Sequence, residues 1–432
     1  MQETLNEHVE KVLEILSRTG GKLKIDSRNV KSGDVFLALK GERHDGHDFV
    51  DHAFENGAVL AIVEKRRDYK GSVIEVSSTF SFIKELALYR LGSRSNKTVV
   101  AITGSVGKTT TKELIWYLTG KTGFRVPGNL NTPIGLALSL INEYNGEALL
   151  ILEYGVSYPG DMDEICRFVF PDVGVLLPVG SSHIGNFSSK EELLKEKLKL
   201  SEYAGKMVAH VSFKDKLSNV ELFFGDGGDV FARILEVDSI KTKVEVEEEG
   251  RTFVLTLPGV WHDGMVEDLS AAVAACRVLG MEPRFDCLKD FSTLEGRFRL
   301  FRILQAYVVD DTYNSSIESF NVASKMINKL WPEKEKVAVL GSILEQGKES
   351  LHAHKILLNN ARRYFDRVLV YAPPGVDEIL IAVDREEVFT DEEELLGQLK
   401  EMLSKDVILY CKASHGVKLY HVVKRLKGVE GM

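Results

Sequence analysis

Thr103-Gly104-Ser105-Val106-Gly107-Lys108-Thr109-Thr110 is the stretch whose reading decides the fold. Ahead of it, Val99-Val100-Ala101-Ile102 is a short apolar run of the kind that a parallel sheet buries on both faces. Behind it, Leu114, Ile115, Tyr117 and Leu118 fall at helical spacing. Strand, glycine loop and helix together bind phosphate, because the glycines let the backbone wrap an anion and the first helical amides point at it. In such a loop Lys108 reaches the terminal phosphates of a nucleoside triphosphate and the Thr109 hydroxyl ligates Mg²⁺. The common form of the loop starts with a glycine where this chain has Ile102, so a shortened Gly-x-x-Gly-Lys-Thr is what the fold has to accommodate.

The bulk numbers leave room for this site several times over. A chain of 432 residues suggests about three domains, each long enough to bury its own core. Apolar content of 44 % and charged content of 28 % are those of a soluble globular protein. A net charge of −9 argues against a general nucleic-acid surface, so anionic ligands need local basic pockets. Cys166, Cys276, Cys287 and Cys411 are scattered without metal-ligand spacing and read as reduced thiols of a cytoplasmic protein. The N-terminal segment, with Leu5, Val9, Val12, Leu13 and Leu16 on one side, reads as an amphipathic helix rather than a signal peptide. The longest apolar runs, such as 148–152, are too short to cross a bilayer. A monomer without membrane insertion is expected.

Working outward, residues 1–94 read as a small α/β module. Val35 to Leu39, Val59 to Val63 and Val73 to Val76 are its strands, and Ser27, Arg28, Lys40 and His47 gather beside the loop glycines Gly41 and Gly46. Arginine and lysine near free amides suit a diphosphate. The polar stretch 91–97 closes this module.

Residues 95–297 read as a central nucleotide-binding domain. Ala148 to Leu152 is a buried strand ending at Glu153, and Asp172 to Val179 is another, followed by His183. Polar residues at the carboxyl ends of such strands are where ligands and Mg²⁺ are held. Asn131, in the turn-rich loop 128–135, is a further candidate for that neighbourhood. The helix 188–203 carries Lys190, Lys195, Lys197 and Lys199, and the pattern alone does not select one of them. Alternation over 206–257 predicts antiparallel strands beside the mostly parallel sheet, and 291–301 is expected to be a linker. In residues 298–432, strands 304–310, 337–340, 367–371 and 407–411 alternate with helical stretches, which predicts a doubly wound, Rossmann-like parallel sheet.

In this order the pieces resemble the Mur ligase family of amide-forming cell-wall enzymes, which includes folylpolyglutamate synthase. The short TGxxGKTT loop is that family's form. Asp26-Ser27-Arg28 with Lys40-Gly41 and Asp45-Gly46-His47, Gly128-Asn129-Leu130-Asn131, Leu152-Glu153-Tyr154-Gly155 with Pro159-Gly160, and Asp310-Asp311-Thr312-Tyr313-Asn314 carry the likeness. Within the family they resemble the branch that joins D-alanyl-D-alanine to UDP-N-acetylmuramoyl-tripeptide through an acyl phosphate. A sister ligase adding a diamino acid, and a nucleotide-dependent switch ATPase, are the competing readings.

The resemblance implies three α/β domains, ATP as a substrate and two Mg²⁺ ions. It implies that Gly104, Ser105, Gly107, Lys108, Thr109, Thr110 and Asn131 contact ATP, with Arg297, Asp311 and Tyr313 reaching it from the C-terminal side. Thr109, Glu153, His183 and Lys197 are then the metal residues, Lys197 as a carbamylated lysine, and Lys108, Lys197 and His183 the catalytic set. Ser27, Arg28, Lys40 and His47 take the uridine diphosphate. Three positions depart from the family pattern. His262-Asp263 stands where His-Asn-x-x-Asn belongs, with Asp268 as the substitute; Ser316-Ile317 replaces Asn-Pro; and Lys412-Ala413-Ser414-His415 replaces Lys-Gly-Ser-Arg.

Overall fold

The computed structural model describes residues 2–41 and 44–428. They form two compact units: one of residues up to Ala101 with Thr122–Gly155 and Asp163–Asp172, the other of Ile102–Lys121, Val156–Met162 and the chain from Val173 onward.

In the first unit, strands β1 (Leu23–Lys24), β2 (Val35–Leu37), β3 (Leu60–Val63) and β4 (Val73–Glu75) pair in parallel in that order. β2 and β3 are buried along their whole length, because helices cover the sheet and leave no wet face for a polar residue. Helix Gln2–Thr19 buries Val9, Val12 and Leu16, the stripe expected from the sequence. Helix Thr79–Leu91 starts at Ser78, whose hydroxyl accepts from the Ser81 amide, and stops at Gly92 in the left-handed region. The same unit holds β5 (Thr98–Thr103) as far as Ala101, with β7 (Leu149–Glu153) and β6 (Phe124–Arg125) beside it. Asn142, near the end of helix Pro133–Glu143, satisfies both backbone groups of Leu23 on the edge strand β1.

The second unit takes up the end of β5. Next to it lie β8 (Val173–Leu176), β9 (Lys206–His210), β10 (Leu222–Phe224), β11 (Val230–Val237), β12 (Lys241–Glu248) and β13 (Arg251–Pro258), in that spatial order. Only β11 to β13 are antiparallel; β8, β9 and β10 pair in parallel, so residues 206–224 extend the parallel part, contrary to the sequence expectation. β12 alternates, with Thr242, Val244, Val246 and Glu248 turned inward. Helix Asp263–Val278 is alanine-rich and lies against helix Lys108–Leu118, since small side chains let two backbones approach.

The same unit carries a six-stranded sheet: β14 (Arg299–Ile303), β15 (Ala306–Asp311), β16 (Glu335–Leu340), β17 (Arg367–Tyr371), β18 (Glu387–Phe389) and β19 (Val407–Lys412), ordered β14-β15-β19-β16-β17-β18. All but the edge strand β14 run parallel. Successive residues feed two cores. Val308, Val337 and Leu409 meet helices Glu392–Met402 and Leu419–Lys427, while Val309, Ala338 and Tyr410 meet Ile317–Leu330 and Ser350–Tyr364. This is the doubly wound sheet expected. Two local expectations fail there. Residues 299–301, read as linker, begin β14, and Leu304, read as strand, is an exposed hairpin residue at φ +52.

Candidate active site

The phosphate loop is fixed by its glycines. Gly104 sits at φ +152, and a Cβ there would lie 2.6 Å from the Leu177 Cβ; Gly107 sits at φ +86, and its Cβ would lie 2.0 Å from Asp268 Oδ1. Both positions therefore exclude a side chain twice, by backbone conformation and by space. The Ser105 amide donates to Pro178 O at 3.0 Å, and the Ser105 hydroxyl accepts from the Gly180 amide at 2.9 Å, which ties the loop to the segment after β8. Gly107 is the N-cap of helix Lys108–Leu118, and no described side chain caps that end. A helix start of this kind is where an anion binds. Lys108 curls back, Nζ donating to Gly104 O at 2.8 Å.

Of the four candidate lysines, Lys197 alone is buried, and its Nζ donates to Gly104 O at 3.3 Å. Lys190 and Lys195 face solvent, and Lys199 pairs with Glu196 at 2.7 Å. Burial, and then the charge of Lys108, holds the Lys197 amine far below the usual lysine range against the pull of Asp161 and Glu196. Its ammonium form is disfavoured where it stands. The selecting signal is tertiary, so sequence spacing could not supply it.

Arg297 Nη2 donates to the Thr109 hydroxyl at 2.7 Å, and its guanidinium lies 3.9 Å over the Tyr313 ring. Gly296 at φ +71 accepts the Tyr313 amide at 3.0 Å, which brings these two segments together. Asp311 is gripped by Tyr410 (2.9 Å), the Phe298 amide (3.2 Å) and the buried Lys412. His183, at φ +63, sets Nδ1 against the Glu345 carboxylate, and the nearness of this imidazole holds the Glu345 carboxyl below its usual range. Thr109, Lys108, Lys197, Arg297, Asp311, Tyr313 and His183 all belong to the second unit.

The remaining predicted residues belong to the first unit. Glu153 is buried at the carboxyl end of β7. Asn131 O accepts the Gly155 amide at 2.8 Å, and Asn131 Oδ1 would lie 2.6 Å from a Cβ on Gly155. Ser27 is buried with its hydroxyl 2.9 Å from His52 Nδ1. Arg28 is exposed and forks onto Asp26 at 2.9 and 2.7 Å. Lys40 bridges Asp45 through the backbone. His47 is buried with both ring nitrogens engaged, Nδ1 by Asp45 at 2.6 Å and Nε2 by the Glu64 amide at 2.8 Å. The ring braces this loop from inside.

Three further residues border the site: Asp268 and His262, which the sequence marked as departures from the family pattern, and Glu318, which carried no sequence signal. Asp268 lies against Gly107, its carboxyl raised by burial and by Glu267. His262 caps helix Asp263–Val278 through Nδ1 and packs on Phe298; loss of hydration and the Lys412 charge push it down to about 4, so it is neutral. Glu318 accepts from the Ser181 amide and hydroxyl, both at 3.2 Å. Among the described residues no three His, Cys, Asp or Glu side chains form a ready-made metal cluster.

This geometry has close relatives. Three family models match in order: the Mur ligase family catalytic domain over residues 22–87, the Mur ligase middle domain over 102–227, and the Mur ligase glutamate ligase domain over 296–414. The chain is similar to the UDP-N-acetylmuramoyl-tripeptide–D-alanyl-D-alanine ligase of Bacillus subtilis (strain 168), 29 % identical over 93 % of this chain and 92 % of that one. Among solved structures it is similar to a MurF ligase from Thermotoga maritima in complex with ADP, 32 % identical with a TM-score of 0.82 over 95 % of this chain and 98 % of that one. MurF from Acinetobacter baumannii is 25 % identical with a TM-score of 0.81, over 96 % and 98 % of the two chains. The phosphate loop, the buried lysine at its rim and full-length likeness to these proteins lead to one assignment: the chain belongs to the Mur ligase family.

Proposed function

We infer that this chain is an ATP-dependent carbon–nitrogen ligase that joins D-alanyl-D-alanine to UDP-N-acetylmuramoyl-tripeptide in peptidoglycan precursor synthesis. The observation that carries this reading is the phosphate loop 104–110 with Lys108 and the buried Lys197 at its rim, in a chain similar over nearly its whole length to ligases of that name. The working modules are residues 1–94 for the UDP end of the substrate, 95–297 for ATP and 298–432 for ATP and the incoming dipeptide. The protein is taken to work as a cytoplasmic monomer; no described helix is long and apolar enough to cross a membrane.

A peptide carboxylate is a poor electrophile, so one of its oxygens first attacks the γ-phosphorus of ATP while the bond to ADP breaks. The free amine of D-alanyl-D-alanine then attacks the acyl carbon, phosphate leaves with its oxygen, and the surplus amine proton is lost. Positioning and charge neutralisation dominate such a transfer. The amides at the start of helix Lys108–Leu118 and the Lys108 ammonium supply that neutralisation. Gly104, Ser105, Gly107 and Thr110 shape the cradle, and Arg297, Asp311 and Tyr313 border it from the C-terminal side. Ser27, Arg28 and Lys40 serve the diphosphate of the nucleotide sugar, with His47 bracing their loop.

Thr109, His183 and Lys197 of the second unit would hold Mg²⁺, which when bound offsets charge on the transferring phosphoryl group. The Thr109 hydroxyl suits that hard, oxygen-preferring ion, the His183 imidazole is a nitrogen donor, and the Lys197 amine as it stands does not suit it. The amine would fit once it has added CO₂: burial disfavours the Lys197 ammonium, the amine lone pair forms the N–C bond, and one proton leaves. The resulting carbamate would be an oxygen ligand where, among the described residues, no cluster of carboxylates is preformed.

Phosphate release is the direct test. Release that requires UDP-N-acetylmuramoyl-tripeptide and D-alanyl-D-alanine together is expected, with no turnover on the UDP-dipeptide plus meso-diaminopimelate. Turnover on the second pair alone would move the chain to the sister ligase. Lys108→Ala is expected to lose ligation by more than about 100-fold with an unchanged circular dichroism spectrum; full activity would sink the loop's assignment.

A further inference from the structure

Within the second unit the chain enters the C-terminal sheet through Gly296-Arg297-Phe298, directly before β14. Gly296 lies at φ +71 and Phe298 at φ +53, so Arg297 stands between two left-handed residues. Glycine takes that conformation freely, whereas a bulky aromatic residue in it is an outlier that its surroundings must enforce. Leu304, at φ +52, is explained by the tight β14–β15 hairpin; Phe298 precedes β14 and turns no hairpin. What holds Phe298 is its ring and its amide. The ring is buried, shares a core with Val260, Val309 and Phe320, and meets the His262 imidazole edge-on with centroids 4.9 Å apart. The amide donates to Asp311 Oδ1 at 3.2 Å, and Asp311 is itself held by Tyr410 and Lys412. On the other side of Arg297, Gly296 O accepts the Tyr313 amide at 3.0 Å, and a Cβ on Gly296 would stand 3.0 Å from that same nitrogen. Both ends of this elbow are pinned, and the side chain between them ends on the Thr109 hydroxyl at 2.7 Å.

We propose that Phe298 is a positioning residue for Arg297. Return of the Phe298 φ to its ordinary negative range would rotate the backbone by roughly 110° just after Arg297 and swing the guanidinium relative to β14. Burial of the ring supplies the free energy that holds the strained φ, and the strained φ keeps the guanidinium over the Tyr313 ring and on the phosphate loop. The ring thus acts on the reaction from the core, through the direction it imposes on its neighbour. Bulk and backbone conformation can be separated here, because glycine adopts φ +53 without strain and alanine does not. The inference rests on the reading of Arg297 as part of phosphoryl transfer under the proposed function.

Steady-state ligation kinetics at saturating ATP test it. Phe298→Ala and Phe298→Gly both remove the ring, and only alanine is still strained by the left-handed backbone. Phe298→Ala is expected to lower kcat about 10-fold or more, since a small misplacement of a charged group is costly in such a transfer. Phe298→Gly, with the amide to Asp311 still holding the turn, is expected to stay within about threefold of the parent. A ring with a merely structural role predicts the reverse order, because glycine also adds freedom to the unfolded chain. In the Arg297→Met background the difference between alanine and glycine is expected to vanish, as it must when one residue acts through the other. Gly296→Ala strains the elbow from its other end without emptying the core. It is expected to lower kcat about 10-fold or more, and it carries the test where Phe298→Ala does not fold. Equal kcat in Phe298→Ala and Phe298→Gly overturns the proposal, as does a difference that persists with Arg297→Met, or a parental kcat in Gly296→Ala. Parental kcat in Arg297→Met instead overturns the reading of Arg297, and with it the coupling of the elbow to the reaction.

Discussion

At the scale of single residues, Lys197 shows function opposing stability. An amine buried against Gly104 O and near Lys108 has its pKa depressed in the folded state, while in the unfolded chain it titrates normally at about 10.4. Below that value the unfolded chain binds a proton that the folded chain resists. The residue therefore disfavours folding at neutral pH, and the penalty grows as pH falls from about 10 toward the depressed folded value. Lys197→Met keeps the bulk and removes the titration. It is expected to raise the melting temperature at pH 7 by a few degrees and to abolish ligation, and the gain should shrink as pH approaches about 10. Melting curves at pH 7 and pH 10 with a phosphate-release assay check both halves; a lower melting temperature at pH 7 would show the lysine to be stabilising. The sequence placed four lysines on this helix and could not choose among them, because burial depends on which side chain meets Gly104 in the folded loop, which no local pattern encodes. His47 illustrates the converse. Its loop was legible, but the engagement of both ring nitrogens by Asp45 and Glu64 depends on strand β3 arriving beside it.

At the scale of elements, the phosphate loop was legible because its requirements are local. A buried strand, two glycines and a helix without a side-chain cap all lie within residues 98–118. The alternating strands and helices of the last third were legible for the same reason, each being read from its own period. The failures arose where neighbours decide: β9 and β10 became parallel through pairing with β8, and Leu304 turned because β14 and β15 form a tight hairpin. What the loop demands can be separated from what any glycine at positive φ demands. Gly107 and Gly146 lie at φ +86 and +97, but a Cβ at Gly146 meets open space, whereas at Gly107 it meets the Asp268 carboxylate. Gly146→Ala is expected to cost about 1–2 kcal/mol and leave nucleotide binding alone. Gly107→Ala is expected to cost more than that and to remove ADP binding by calorimetry, because the loop can relieve the clash only by moving its amides. Equal effects of the two changes would mean that backbone conformation, not the space beside Asp268, makes Gly107 necessary.

At the scale of the molecule, the places where the second unit brings the central and C-terminal sheets together include Arg297 on Thr109, Glu318 on Ser181, and the His183 and Glu345 segments. They are not equivalent. Glu318 and Ser181 meet at an exposed rim, where water competes for each hydrogen bond and such a contact contributes about 1 kcal/mol or less. Arg297 instead ends on the Thr109 hydroxyl, and its guanidinium is held flat by Tyr313. It links the C-terminal sheet, through Gly296 and the Tyr313 amide, to the loop that the proposed function assigns to the transferring phosphoryl group. Removing the rim contact should loosen docking slightly; removing Arg297 should take away charge from the transition state itself. Glu318→Ala is accordingly expected to change kcat/KM for ATP by no more than about threefold, near the limit of a contact worth about 1 kcal/mol. Arg297→Met, which keeps the stem over the Tyr313 ring and loses the charge, is expected to lower kcat by about 100-fold or more at saturating ATP while shifting the melting temperature by less than about 2 °C. Steady-state kinetics with both variants decides between two accounts of the docked state. Similar modest losses from the two would mean that the sheets are held together by contact at large. A loss confined to Arg297→Met would mean that the C-terminal sheet matters to the reaction chiefly through one guanidinium set on the phosphate loop.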